Sequence, residues 1–377
     1  MSRTYDTYDN SASNKIAIIA LDGTEEFARK INRYLNEIYS EGNSQIIDTT
    51  ILRFSTGDAK AVIQNTVRGA DVYIIMDVGN YSCSYKMYGQ NVIMSPDEHF
   101  QNLKRIISAI GGKANRINVI SPMLYAARQD RRLSRESLDC AVALRELENI
   151  GVKNIMAFDV HDDRVQNAVP FMGFDNLIPV YQVIKALKRS YPDLMFDEDH
   201  LMLVSPDLGG TNRNLLYSNE LGLDMGLFYK RRSRKKMLNG KYPVEEHKYI
   251  GPEVKGKNIL IVDDIIASGE TILDVVYRVK ELGANKVFVA ATFGLFTDGV
   301  EKYNEAYQNS IIDSVFITNA TFRNDLVKNA PWYKEVDLTK YIAFYIYCVY
   351  TGKSISNILD PHEKIQKLFQ KECCKNH

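Results

Sequence analysis

Acids, hydroxyls and glycines that follow apolar runs mark where this chain could do chemistry. The richest such segment is 259–271, Ile-Leu-Ile-Val-Asp-Asp-Ile-Ile-Ala-Ser-Gly-Glu-Thr. A covered strand ending in Asp263 and Asp264 and turning into a helix would offer a phosphate the free N–H groups of the helix start and the hydroxyls of Ser268 and Thr271. Gly269 lets the backbone approach the anion closely. The paired acids would reach sugar hydroxyls or a hydrated Mg²⁺. A bare Asp-Asp pair is usually a solvated strand end, so the whole strand–acid–acid–turn–helix unit carries the reading.

Four further runs have the same character. Arg128-Gln129-Asp130-Arg131-Arg132 offers guanidinium forks that match polyphosphate oxygens, against the plainer reading of a solvated charge cluster. His161 closes Phe158-Asp159-Val160-His161, and Asp207 sits in Ser205-Pro206-Asp207-Leu208-Gly209-Gly210. Residues 230–236, Lys-Arg-Arg-Ser-Arg-Lys-Lys, hold six basic residues in seven. By composition alone they suggest a solvated loop or a nucleic-acid patch. Phe54-Ser55-Thr56-Gly57-Asp58 ends another apolar run, where an aromatic most often belongs to the core.

These residues must be held by something, and the apolar pattern says what. Strands are expected at 16–21, 49–54, 72–77, 117–121 and 155–160, then at 201–205, 227–230, 259–262, 287–291 and 315–318. Several are apolar on both faces, as strands of a covered parallel sheet are. Amphipathic helices lie between them. Phe100, Leu103, Ile106, Ile107 and Ile110 mark one, opened by Ser95, Pro96 and Glu98 as a capping box. Two strand–helix series predict two doubly wound α/β domains, at 15–177 and 178–366, between polar tails at 1–14 and 367–377. In such sheets ligands lie beyond the carboxyl ends of the strands.

Composition narrows the function class. Lys plus Arg number 47 and Asp plus Glu number 47, so no chain-wide attraction to nucleic acid or anionic membrane exists. Apolar runs are too short for a membrane span, and the first ten residues lack the pattern of a signal peptide. The five cysteines show no metal-type spacing, and Cys373 and Cys374 read as free thiols. A reduced, cytoplasmic enzyme acting on small molecules is expected, with no nucleic-acid or membrane partner.

The motifs together resemble the ribose-phosphate diphosphokinases (phosphoribosyl pyrophosphate synthetases). That family's sugar-phosphate loop reads Val-Asp-Asp-x-x-Asp-Thr-Gly-Gly-Thr. Val262, Asp263, Asp264, Gly269 and Thr271 match it; Ser268 stands for Thr, Ala267 for Asp and Glu270 for Gly. The family's Tyr-Ala-Arg-Gln-Asp-Arg-Arg is similar to 125–132 with one extra alanine, and its Asp-Leu-His to 159–161. Val-Ser-Pro-Asp-x-Gly-Gly is similar to 204–210, Lys-Arg-Arg to 230–232, and Phe-Ser-Asp-Gly-Glu to 54–58.

The resemblance implies two type I phosphoribosyltransferase-like domains and a Mg²⁺-dependent transfer of the β,γ-diphosphate of ATP to the anomeric hydroxyl of ribose 5-phosphate. Lys230 and Arg232 would be catalytic, in a loop that closes over the site. Phe54, Asp58, Arg128, Gln129, Arg131 and His161 would bind ATP, and His161 with Asp207 would lie at the metal. Asp263, Asp264, Ala267, Ser268, Gly269, Glu270 and Thr271 would hold the ribose phosphate. Adenine contacts across a subunit boundary imply a homo-oligomer, a dimer or larger.

Two segments depart from the pattern. Residues 80–94, with Tyr81, Tyr85, Met87 and Tyr88, form an insertion, and 133–137 lacks the usual Ser-Ala-Arg-Val-Pro. Glu270 adds a charge that a phosphate diester would tolerate better than a monoester, which keeps a larger acceptor such as ADP-ribose open. A non-catalytic regulatory homologue is a further alternative. So is a phosphoribosyltransferase, in which the arginine motif would have no task.

Overall fold

A computed structural model describes residues 15–39, 44–132, 134–232 and 244–373. The expected tail 1–14, residues 233–236 of the basic run, and Cys374 lie outside them. The chain divides into two compact units: residues up to Leu177 together with Thr339–Ile358, and Ile178–Leu338 together with the residues from Leu359 onward.

In the first unit the elements are β1 (Ile16–Ala20), α1 (Glu25–Ile38), β2 (Ser44–Ile46), β3 (Thr49–Arg53), β4 (Ala59–Ile63), β5 (Asp71–Ile75), β6 (Ser84–Met87), β7 (Gln90–Ile93), α2 (Pro96–Ile110), β8 (Arg116–Ile120), α3 (Asp139–Asn149), β9 (Asn154–Phe158) and β10 (Gly173–Leu177). Six strands form a parallel sheet in the order β10-β9-β8-β5-β1-β2. Ile16–Ile19 of β1 and Val72–Ile75 of β5 are apolar and buried without a break, as covering on both faces requires. Helix α2 starts as the sequence predicts: the Ser95 hydroxyl accepts from Glu98 N, and Ser95 N donates to the Glu98 carboxylate at 2.8 Å.

In the second unit follow α4 (Val180–Ser190), β11 (Leu201–Ser205), α5 (Thr211–Leu221), β12 (Met225–Arg232), β13 (Val244–Ile250), β14 (Asn258–Ile266), α6 (Glu270–Glu281), β15 (Val287–Gly294), α7 (Glu301–Gln308), β16 (Ser314–Thr318), α8 (Asp325–Lys328) and β17 (Tyr333–Val336). Its seven-stranded sheet runs β13-β12-β11-β14-β15-β16-β17, parallel except for the β12–β13 edge pair. Beyond it come α9 (Thr339–Thr351), α10 (Ser356–Leu359) and α11 (His362–Cys373).

The structure revises the sequence reading at four places. The run at 49–54 does not join the parallel sheet; β3 pairs antiparallel with β4 as a separate ribbon. Residues 80–94 contain a second hairpin, β6–β7. Strand β14 continues through Asp263 and Asp264 to Ile266, because β15 stays paired with it as far as Gly294. Finally, Thr339–Ile358 does not belong with 178–366. Helix α9 is apolar enough to bury Tyr345 and Ile346 within the first unit, where Tyr345 Oη donates to Asp175 at 2.7 Å and Tyr73 Oη to the Ile346 carbonyl at 3.5 Å.

Candidate functional site

In the second unit the strand order reverses between β11 and β14, and the crevice beyond their carboxyl ends is where an open α/β sheet takes its ligand. Asp207 stands after β11; Asp263 and Asp264 stand on the last part of β14. The sequence candidates Asp207, Asp263 and Asp264 thus lie at the carboxyl end of two adjacent central strands.

Each is held by a neighbour. Asp207 Oδ1 accepts from Gly210 N at 3.0 Å, and the Ser205 hydroxyl donates to the Asp207 carbonyl at 2.7 Å, fixing the 205–210 loop at the start of α5. Asn214, fully buried, donates to the carbonyls of Gly210 (2.9 Å) and Val262 (2.8 Å) and so ties that loop to β14 one residue before the acid pair. Arg213 lies 3.4 Å from Asp263 Oδ1 and 3.6 Å from Asp264 Oδ2. Burial first, then the charge of Asp264, pushes the Asp263 carboxyl well above the usual carboxylate range, and Arg213 offsets only part of this. The sequence reading missed Arg213 and Asn214. Their only signal was position, three and four residues after Gly210, where the first helical turn must face the neighbouring strand.

The segment expected to hold a phosphate has the expected strand–turn–helix form. Ala267 and Ser268 leave β14, Gly269 caps α6 with φ +83°, and Glu270 and Thr271 begin the helix. Gly269 is required twice over: its φ is one that side chains disfavour, and a Cβ there would lie 2.6 Å from the buried Tyr303 ring. Tyr303 Oη donates to the Gly269 carbonyl at 3.3 Å. Gly269→Ala should therefore lower stability by about 2–3 kcal/mol, by left-handed strain plus overpacking, and raise the KM for the ribosyl phosphate; denaturant melts and initial rates check both. Glu270 is exposed and paired with Lys302 at 2.8 Å, so its charge is compensated from α7.

Lys230 and Arg232 are the third-last and last residues of β12, opposite His247 and Val244 of β13, with a register shift between Arg231 and Arg232. They sit on an antiparallel edge ribbon rather than in the expected loop; the ribbon extends because β13 returns to pair with them.

In the first unit Arg128, Gln129 and Arg131 lie exposed beyond β8, and His161 is exposed beyond β9. The segment leading to them is pinned: Tyr125 stacks on Phe100 at 4.5 Å and its hydroxyl donates to Asp97 at 2.7 Å. The Asp130 side chain is nearly buried, and its carboxylate accepts from His161 Nδ1 at 2.6 Å. That leaves Nε2 as the outward nitrogen. Arg164 engages the Asp162 carboxylate and holds its pKa down at about 2, with His161 adding a smaller favourable charge. Phe54 is 51% exposed, which excludes the core reading; its turn is closed by Phe54 N to the Asp58 carbonyl at 2.8 Å. His161 and Asp207 fall in different units.

Oxygen donors dominate around Asp207 and the acid pair, which suits Mg²⁺. Among the described residues no three His, Cys, Asp or Glu side chains converge as a metal cage. The described residues include no helix long and apolar enough to cross a membrane.

Fold and site together define a protein of two phosphoribosyltransferase-like domains. The model of the N-terminal domain of ribose phosphate pyrophosphokinase matches residues 16–151, and that of the phosphoribosyl synthetase-associated domain matches 239–360. A ribose-phosphate pyrophosphokinase of Vibrio cholerae is 30% identical over 278 residues, 72% of this chain and 78% of its own length. One from Mycoplasma genitalium is 28% identical over 93% of this chain and 96% of its own. The crystal structure of phosphoribosylpyrophosphate synthetase from Mycobacterium smegmatis shares the fold at a TM-score of 0.74, with 22% identity, covering 90% of this chain and 99% of that one. The chain belongs to the ribose-phosphate pyrophosphokinase family and is an enzyme of that type.

Proposed function

We propose that this enzyme transfers the β,γ-diphosphate of ATP to the anomeric hydroxyl of ribose 5-phosphate, releasing AMP and phosphoribosyl pyrophosphate. The observation that carries the reading is the glycine-capped α6 beside a partly neutralised carboxylate pair at the switch point of the second sheet. The helix start takes the 5-phosphate through backbone N–H groups. Asp263 and Asp264 accept from the ribose hydroxyls and fix the sugar's orientation.

Arg128 and Arg131 bind the triphosphate, His161 directs Nε2 toward it, and Phe54 and Asp58 take the adenine. Lys230 and Arg232 neutralise the charge that develops as the diphosphoryl group moves. Asp207 would hold Mg²⁺, which when bound would shield phosphate charge. Positioning and charge neutralisation suffice, with no protein nucleophile. The exposed Phe54–Asp58 turn would be free to meet a neighbouring subunit's nucleotide in a homo-oligomer.

The Glu270–Lys302 pair favours ribose 5-phosphate over a diester acceptor, because the glutamate's charge is already met. Mass spectrometry of products from Mg-ATP with ribose 5-phosphate or ADP-ribose tests this. AMP and phosphoribosyl pyrophosphate are expected from the first. Turnover of ADP-ribose alone would overturn the acceptor; no AMP from either would overturn the reaction.

A further inference from the structure

Residues 80–94 have no counterpart in the motifs that carry the family resemblance. Hairpin β6–β7 closes on Tyr88-Gly89 with φ +48° and +79°, the doubly left-handed loop of a type I′ turn. Asn is the usual first residue there, and a bulky aromatic is strained. Tyr88 is nonetheless 77% exposed, so burial does not explain it. Strain kept without a packing return is a reason to look for function.

The hairpin is locked to the Phe54–Asp58 turn. Tyr88 N donates to the Ser55 carbonyl at 2.9 Å. Met87 lies so close over Gly57 that a Cβ there would come within 2.7 Å of its sulfur. Arg53 stacks on the Tyr85 ring at 4.3 Å and donates to the Gly57 carbonyl at 3.2 Å. Turn and hairpin thus form one body, with Phe54 and Tyr88 exposed on adjoining backbone.

We propose that Tyr88 is a second aromatic contact for the nucleobase taken by the Phe54 turn, which makes the 84–93 hairpin a nucleobase-recognition element of this chain. The inference rests on the reading of that turn as the adenine contact. A planar base gains roughly five- to hundredfold in affinity from one aromatic face.

The test uses Tyr88→Asn in the full-length protein. The loop then gains its preferred residue, so the melting temperature should rise while the KM for Mg-ATP rises about tenfold. The KM for ribose 5-phosphate should stay within about twofold, and Tyr88→Phe should keep the parent's ATP KM, because stacking needs only the ring. An unchanged ATP KM in Tyr88→Asn, or equal rises for both substrates, overturns the inference. Phe54→Ala separates it from its premise: if that variant raises the ATP KM and Tyr88→Asn does not, only the hairpin's role falls. If Phe54→Ala leaves the ATP KM unchanged, the adenine reading of the turn falls.

Discussion

Lys230→Ala is expected to lower kcat by about 10³-fold while the KM for ATP moves less than about threefold, because one preorganised charge aimed at the transition state is worth that much. The physical basis is the timing of the charge. In the proposed ground state Mg²⁺, Arg128 and Arg131 would already meet the triphosphate. Negative charge builds on the transferring group and the bridging oxygen only as the bond to the leaving AMP lengthens. A residue on the β12–β13 ribbon, paired in register opposite His247, has a backbone fixed by hydrogen bonds that cost no reorganisation at the moment of transfer. Single-turnover rates and nucleotide titration together check the split. Equal losses in turnover and nucleotide affinity would make Lys230 a ground-state phosphate contact.

The sequence revealed the parallel sheets and the turn from β14 into α6 because both rest on local rules. Apolar runs such as Ile259–Val262 have no face to spare for water, and Gly269 stands where a helix must begin after a turn. What it hid was set by distant pairing. Nothing within residues 49–63 says that β3 and β4 leave the sheet, since an alternating strand reads the same in a ribbon. The continuation of β14 to Ile266 depends on β15, and the return of α9 to the first unit depends on the buried Tyr73 and on Asp175. In the site, the acids and arginines were legible as types. Their restraints were not: Asp130 behind His161, Arg213 between the two carboxylates, and Asn214 across to Val262 are long-range contacts.

The carboxylate pair leads to the second large effect, Asp263→Asn. Turnover should fall by about 10²–10³-fold, since the ribose hydroxyl would lose the carboxyl acceptor proposed to position it. The apo protein should nevertheless melt higher than the parent at pH 8. A carboxyl whose pKa is raised on folding stabilises the native state while both states are protonated. That contribution disappears as pH climbs from the unfolded value, about 4, through the folded one. The Asp263 proton is held by desolvation and by Asp264, so above that window the ionised side chain opposes folding.

Asparagine keeps an oxygen for Asp264 N, now 2.9 Å from Asp263 Oδ1, but cannot ionise. Every tenfold by which folding weakens the Asp263 acid costs the ionised parent about 1.4 kcal/mol, or roughly 2–4 °C in a domain of this size. The gap should close as pH falls toward 4, and Mg²⁺ with ribose 5-phosphate should raise the melting temperature of the parent far more than that of the variant. A variant no more stable than the parent at pH 8 would mean that Arg213 already neutralises the pair, and one that keeps full turnover would remove Asp263 from the sugar's contacts.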